Sequence, residues 1–354
     1  MAGPRGIRPA PGVPPRPTPC WPGTDAPGGG CERGCRRAAS GVERAESGVT
    51  TFNLTETTAS KISSTLTRLR HQMGAPAVGM VLTLVVVVDE AGQYDALRAA
   101  TEAARQHPSR ILIVINRDPA EPNRLDAEIR VGESAPGEVV LLRLYGELTE
   151  HGDSVIMPLL LTDTPVVVWW PGDCPEVPAK DPIGHLGSRR ILDAKSAPDA
   201  VAAISSRAAS YVPGDTDLAW TRLTPWRSLL AAAFDQPVGR VTGGVVEAAR
   251  GNPSASLLAA WLCDRLGVPI EIADTAGPGL TGVRLSVEGG ELTLSRTDAR
   301  LATLSRPGHP DRRVALARRP TSELLAEELR RLDPDEIYAD AIHRLAEMKG
   351  RGGS

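Results

Sequence analysis

The run Val78-Gly-Met-Val-Leu-Thr-Leu-Val-Val-Val-Val88, closed by Asp89 and Glu90, decides the fold class. Its 11 residues fall well short of the ~20 that cross a bilayer, and its Val-rich character fits a strand buried on both faces. Downstream, Asp95, Leu97, Ala100 and Ala104 have helical spacing, and Ile111-Leu-Ile-Val-Ile115 is a second apolar run. Strand, helix and strand within about 40 residues predict a βαβ unit with a right-handed crossover.

Two more strands are expected at 127–131 and 139–144, with Ser134-Ala-Pro-Gly137 turning between them. A helix over 151–161, the strand-like Pro165-Val-Val-Val-Trp-Trp170, Ile191-Leu192 and a helix over 198–210 extend the layered pattern. Upstream, Thr55, Thr57, Thr58 and Ser60 are cap candidates for a helix through Ile62, Leu66 and Leu69, which Gly74-Ala-Pro76 should stop. Residues 49–213 thus read as a mostly parallel α/β sandwich domain. Turn formers in Tyr211-Val-Pro-Gly-Asp215 mark its end.

Residues 214–348 read as a smaller α+β domain. Helices are expected over 218–234 and 254–266, a strand over 268–273, and a hairpin from 283–287 and 292–295 around Gly289-Gly290. Arg313–Leu316 suggests a further strand, and two closing helices, 322–332 and 335–348, flank Asp333-Pro334. Residues 349–354 are expected to be disordered.

The first 48 residues hold nine Pro, ten Gly and seven Arg, with almost no large apolar side chain. Such a segment cannot offset its ordering entropy and reads as disordered. It has no apolar core of a secretory signal. Composition changes abruptly at Val49, so upstream sequence included in front of an alternative start is one expectation for this tail. Lys+Arg 40 against Asp+Glu 43 give a formal charge of −3, split as +3 in the tail and −6 in the body. A nucleic-acid partner is therefore not expected, and the short apolar runs give no expectation of a membrane one. Only Cys174 and Cys263 lie in the body, which indicates a reduced, cytoplasmic protein. The C-x3-C of Cys31 and Cys35 has no zinc-site companions, and no metal is expected.

Gly277-Pro-Gly-Leu-Thr-Gly282 matches G-x-G-x-x-G, but the following Val-Arg-Leu-Ser-Val alternates like a strand, so no helix end would meet a pyrophosphate. No nucleotide cofactor is expected there. Among six histidines, His185 stands out because Ser188, Arg189 and Arg190 follow it. If this loop lies at the carboxyl ends of parallel strands, it is a candidate anion site. The alternative is that Arg189 or Arg190 pairs with Asp181 or Asp193. Trp169 and Trp170 end an apolar strand facing opposite ways, so one is expected in the core and the other under a loop or on a partner. Trp220 and Trp226, near Arg222 and Arg227, suggest one core and one surface role if a single helix carries both.

Three blocks carry a family resemblance: Val166-Val-Val-Trp-Trp-Pro-Gly172, His185-Leu-Gly-Ser-Arg-Arg-Ile-Leu-Asp193 and Asp215-Thr-Asp-Leu-Ala-Trp-Thr-Arg-Leu-Thr-Pro-Trp-Arg227. In this order they resemble the OpcA family of glucose-6-phosphate dehydrogenase assembly proteins, over about 49–348. The resemblance implies a cytoplasmic, non-catalytic accessory protein that promotes oligomerisation or activation of glucose-6-phosphate dehydrogenase in the oxidative pentose phosphate pathway. It brings no catalytic residue, cofactor or metal. Some relatives in photosynthetic bacteria are linked to thioredoxin through cysteines, but Cys174 and Cys263 form no redox motif. Candidate partner- or anion-binding residues are Trp169, Trp170, His185, Ser188, Arg189, Arg190, Asp193, Trp220, Arg222, Trp226 and Arg227. The alternative function is a sugar-phosphate or nucleotide enzyme or sensor with its anion site near Ser188–Arg190.

Overall fold

The computed structural model describes residues 42–44, 49–73, 79–132, 137–235, 238–296, 298 and 300–351. Along the chain come β1 (Val42–Arg44), β2 (Val49–Leu54), α1 (Ala59–Met73), β3 (Leu82–Val88), α2 (Gln93–Ala104) and β4 (Ser109–Asn116). Then follow β5 (Arg124–Gly132), β6 (Gly137–Tyr145), α3 (Gly152–Ile156), β7 (Val166–Trp169), α4 (Pro182–Leu186), β8 (Arg189–Leu192) and α5 (Ala200–Ser210). The remainder is β9 (Asp215–Asp217), α6 (Leu218–Thr221), α7 (Thr224–Ala233), β10 (Val241–Ala248), α8 (Pro253–Leu266) and β11 (Ile270–Asp274). It closes with β12 (Leu280–Val287), β13 (Gly290–Arg296), β14 (Leu301–Arg306), β15 (His309–Ala315), α9 (Thr321–Arg330) and α10 (Glu336–Arg351).

A nine-stranded sheet runs β1-β2-β5-β6-β4-β3-β7-β8-β9, and the six strands from β6 to β9 are all parallel. The expected βαβ unit is β3-α2-β4, with Leu84 beside Ile111 and Val167. β3 and β4 are buried on both faces, as their unbroken apolar runs require. β5 instead alternates, sending Leu125, Ala127, Ile129 and Val131 inward from an antiparallel pairing with β6. One face of the sheet packs Ile62, Leu66 and Leu69 of α1 together with α3. The other packs the alanine stripe of α2 and Leu324, Leu325 and Leu329 of α9.

The second sheet runs β11-β10-β12-β13-β14-β15, and α5 to α8 and α10 share its core. α8 is apolar on nearly all sides and is buried accordingly. Asn252 caps it by accepting the Ser254 N–H at 3.0 Å, and Gly267 ends it at φ 66°. Both sheets belong to one compact unit, Ser40–Ser354.

Several elements differ from expectation. β2 precedes α1, whose cap is Thr58, accepting the Lys61 N–H at 3.3 Å. β1 lies in the stretch expected to be disordered, held by antiparallel pairing with β2. α10 continues through Arg351, beyond the expected end at 348. β10 and β14 had no counterpart in the sequence reading. β10 is central, parallel to β11 and antiparallel to β12, and its Gly244 sits where a Cβ would lie 2.6 Å from Leu285 Cδ2. The expected turn over 134–136 and the tail over 1–41 lie outside the described residues.

Candidate functional site

The three sequence blocks meet at β7, β8 and β9, where four arginine–carboxylate pairs are assembled. Arg189 pairs with Glu328 of α9 and donates to the Asp333 carbonyl at 2.9 Å. Its neighbour Arg190 pairs with Asp215 and donates to the Gly187 and Pro213 carbonyls at 2.9 and 2.8 Å. Asp193 receives both ends of the Arg222 guanidinium at 2.8 and 2.7 Å. Arg207 pairs with Asp217, whose carboxylate also accepts the Ala194 and Ala219 N–H groups at 3.1 and 2.8 Å. Such desolvated pairs lock geometry, and losing one partner leaves an uncompensated charge.

Burial pushes the Asp215 carboxyl up, against the pull of Arg190. Burial would lower the Arg207 guanidinium, but Asp217 and the Cys174 thiol, 3.1 Å away, outweigh it. Neither acid weighed from sequence is the partner of Arg189 or Arg190. Asp181 caps α4 by accepting the Ile183 and Gly184 N–H groups at 3.0 and 2.9 Å, and Asp193 serves Arg222.

His185 and Ser188 are exposed. The Ser188 N–H and hydroxyl both reach the carbonyl of Val166, the first residue of β7. The Ser188–Arg190 segment therefore enters β8 at the amino ends of the parallel strands. That is the opposite edge of the sheet from the carboxyl ends where ligands bind in α/β folds.

The four candidate tryptophans, Trp169, Trp170, Trp220 and Trp226, are all buried. Trp169 faces the α2–α9 side and Trp170 the α1–α3 side, so each has a separate core. Trp220 and Trp226 are on different helices, because the chain breaks at Arg222–Leu223, and each is only 1% exposed. Trp220 donates its indole N–H to Asp335 at 2.9 Å, and the Arg227 guanidinium lies 3.7 Å from its ring centroid. Glu328 and Asp335 were not singled out from sequence, because they lie 139 and 115 residues from Arg189 and Trp220 and leave no local signal there.

The parallel strands β6-β4-β3-β7-β8-β9 have the 3-2-1-4-5-6 order of a dinucleotide-binding sheet, whose ligand crevice lies between β3 and β7. A cavity of about 700 Å³ is there, walled by Val88, Asp89, Gly92, Trp169 and Gly172. Its strand-to-helix turn is Asp89-Glu-Ala-Gly92. The Asp89 carboxylate accepts the Gly92 N–H at 2.7 Å. The donor that a pyrophosphate would need is thus held by an acid of the chain itself, with Asp95 and Glu102 also on the wall. At the G-x-G-x-x-G of 277–282, β12 begins at Leu280, so a strand follows that loop. Among the described residues, no cluster of three His, Cys, Asp or Glu could hold a metal, and no helix is long and apolar enough to cross a membrane.

Two models of one family match the chain. They are described as the N-terminal domain of the glucose-6-phosphate dehydrogenase subunit, over residues 100–209, and its C-terminal domain, over 213–342. A curated OxPP cycle protein OpcA of Synechococcus elongatus is 31% identical over 140 residues, 37% of this chain and 31% of that protein. The chain thus spans about a third of that relative. Among solved structures, the 3-ketoreductase KijD10 of Actinomadura kijaniata, in complex with NADP and TDP-benzene, aligns with TM-score 0.44 at 12% identity, covering 77% of this chain and 98% of that one. An NAD-binding oxidoreductase of Klebsiella pneumoniae aligns with TM-score 0.44 at 9% identity, covering 76% and 95%. Likeness at that level says nothing about shared chemistry. Both domain models of the family are matched, in order and on either side of Tyr211–Val212, and the chain belongs to the OpcA family of glucose-6-phosphate dehydrogenase assembly proteins.

Proposed function

We propose that this protein binds glucose-6-phosphate dehydrogenase in the cytoplasm and favours its active oligomer, without catalysing a reaction itself. The observation that carries this reading is the match to both assembly-family domains. The β3–β7 crevice supports it, because the Asp89 carboxylate takes the Gly92 N–H at the turn where such sheets offer donors to a nucleotide phosphate. Such a factor acts only through a difference in affinity between dehydrogenase states, and typical couplings of about 1–3 kcal/mol change an equilibrium roughly 5- to 150-fold. Of the candidate contact residues, His185 and Ser188 face solvent, and we place the contact with the dehydrogenase there.

The test mixes the purified protein with its cognate dehydrogenase, followed by size-exclusion chromatography with light scattering and by assays of the substrate response. A shared peak with a shifted oligomer or a lower half-saturating substrate concentration is expected. Separate elution together with unchanged kinetics would refute the proposal.

A further inference from the structure

A second cavity, of about 310 Å³, lies between the first turn of α8, the end of β13 and the segment 317–319. Its wall carries Lys195, Arg222, Arg250, Arg296, Arg318 and Arg319, and no carboxylate. Three of these cations are balanced from outside the wall: Arg222 by Asp193, Arg250 by Asp274 and Arg319 by Glu327. Lys195, Arg296 and Arg318 have no acidic partner among the described residues.

Arg296 is the most telling of them. Its Nε is buried with no hydrogen-bond partner among the described residues, and its guanidinium lies 5.0 Å from the ring centroid of Trp226. Burial first, and then the like charge of Arg318, push it down to about 10. Arg318 spends one N–H on the Pro278 carbonyl at 2.6 Å, and the rest of its fork has no partner among the described residues. Lys195 and Arg318 are exposed and keep their water, so the half-buried Arg296 is the cation in this wall that gains most when an anion joins it.

We propose that this cavity binds a phosphate monoester of sugar or nucleotide size, with Arg296, Arg318 and Lys195 as its anion ligands. Guanidinium forks match phosphate oxygens in pairs, and the positive end of the 14-residue helix α8 reinforces them. A volume near 300 Å³ is the lower end for small-molecule sites. Leu280, Ala317 and Leu324 offer apolar wall for a carbon skeleton. The site is separate from the proposed dehydrogenase contact, and its test uses this chain alone.

The experiment is isothermal calorimetry and thermal unfolding of the purified full chain with inorganic phosphate, a hexose phosphate and AMP, with glucose and adenosine as neutral controls. Wild-type protein should bind at least one phosphorylated probe and gain thermal midpoint with it, while the neutral probes do neither. Arg296→Met and Arg318→Gln should each weaken binding at least tenfold, and Arg296→Met should raise the midpoint without ligand, because a half-buried unpaired charge is gone. Absence of heat and midpoint shift with all three phosphorylated probes would overturn the proposal. So would equal binding by wild type and both variants, which would place the anion elsewhere.

Discussion

Arg189 and Glu328 form a buried ion pair across 139 residues of sequence, joining β8 in the middle of the chain to α9 near its end. The carboxylate of Glu328 is held from its other oxygen by the Thr221 hydroxyl at 2.7 Å, so three elements depend on one acid.

Arg189→Ala should therefore act on folding before it acts on any partner. Leaving Glu328 buried and unpaired costs about 3–5 kcal/mol, read as a lower thermal midpoint and lower denaturant midpoint. The double variant Arg189→Met/Glu328→Leu should recover most of that loss. A double variant no more stable than the single one would show that the pair itself is not the cause.

Gly184 gives a sharper local test. A Cβ there would lie 1.9 Å from the Pro178 carbonyl oxygen and 3.1 Å from the Trp170 ring, whereas one at Gly172 meets nothing within 4 Å. Gly184→Ala should lower the thermal midpoint clearly by forcing α4 away from Pro178 and the Trp170 ring, while Gly172→Ala stays within about 0.5 kcal/mol of wild type. Equal effects at both positions would contradict the packing described.

Alkaline stability should depend on Tyr338. Burial first, and then Asp217, push its phenol well above the ordinary range. In the unfolded chain the phenol ionises near pH 10, about the usual tyrosine value. Above that pH the unfolded state holds fewer protons than the folded one, so the stability present below pH ~10 is lost as pH rises. Tyr211 shifts in the same direction, driven mainly by burial. Denaturant unfolding between pH 8 and 11 should show a shallower alkaline decline in Tyr338→Phe than in wild type.

His185 is exposed, so His185→Glu should leave the thermal midpoint unchanged. On the proposed contact it should reduce co-elution with the dehydrogenase several-fold. A variant that co-elutes as wild type does would remove this surface from the interface.

The β3-α2-β4 unit was legible because a strand buried on both faces must be an unbroken apolar run, and Val78–Val88 and Ile111–Ile115 are such runs. β10 was not, since Thr242-Gly-Gly244 breaks the pattern for a reason visible only in three dimensions: Leu285 crowds Gly244 from the next strand. The arginines of β8 could be found, but their acids lie 25 and 139 residues away. Expecting Ser188–Arg190 at the ligand-binding edge failed on geometry. The chain leaves the carboxyl end of β7 and returns through α4 to the opposite edge before those residues appear. The basic cavity draws Lys195, Arg296 and Arg318 from three distant segments and had no local signature at all.

α9 covers the first sheet only after the second sheet has been completed. A ribosome making this chain from its amino end therefore releases β3, β4, β7 and α2 long before Leu324, Leu325 and Leu329 exist to shield them. The nascent first half must wait with the part of that face beyond α2 uncovered, a state that aggregates or is guarded by a chaperone. Premature termination anywhere before Thr321 leaves the dinucleotide-type sheet without its lid, and such fragments should be cleared rather than accumulate.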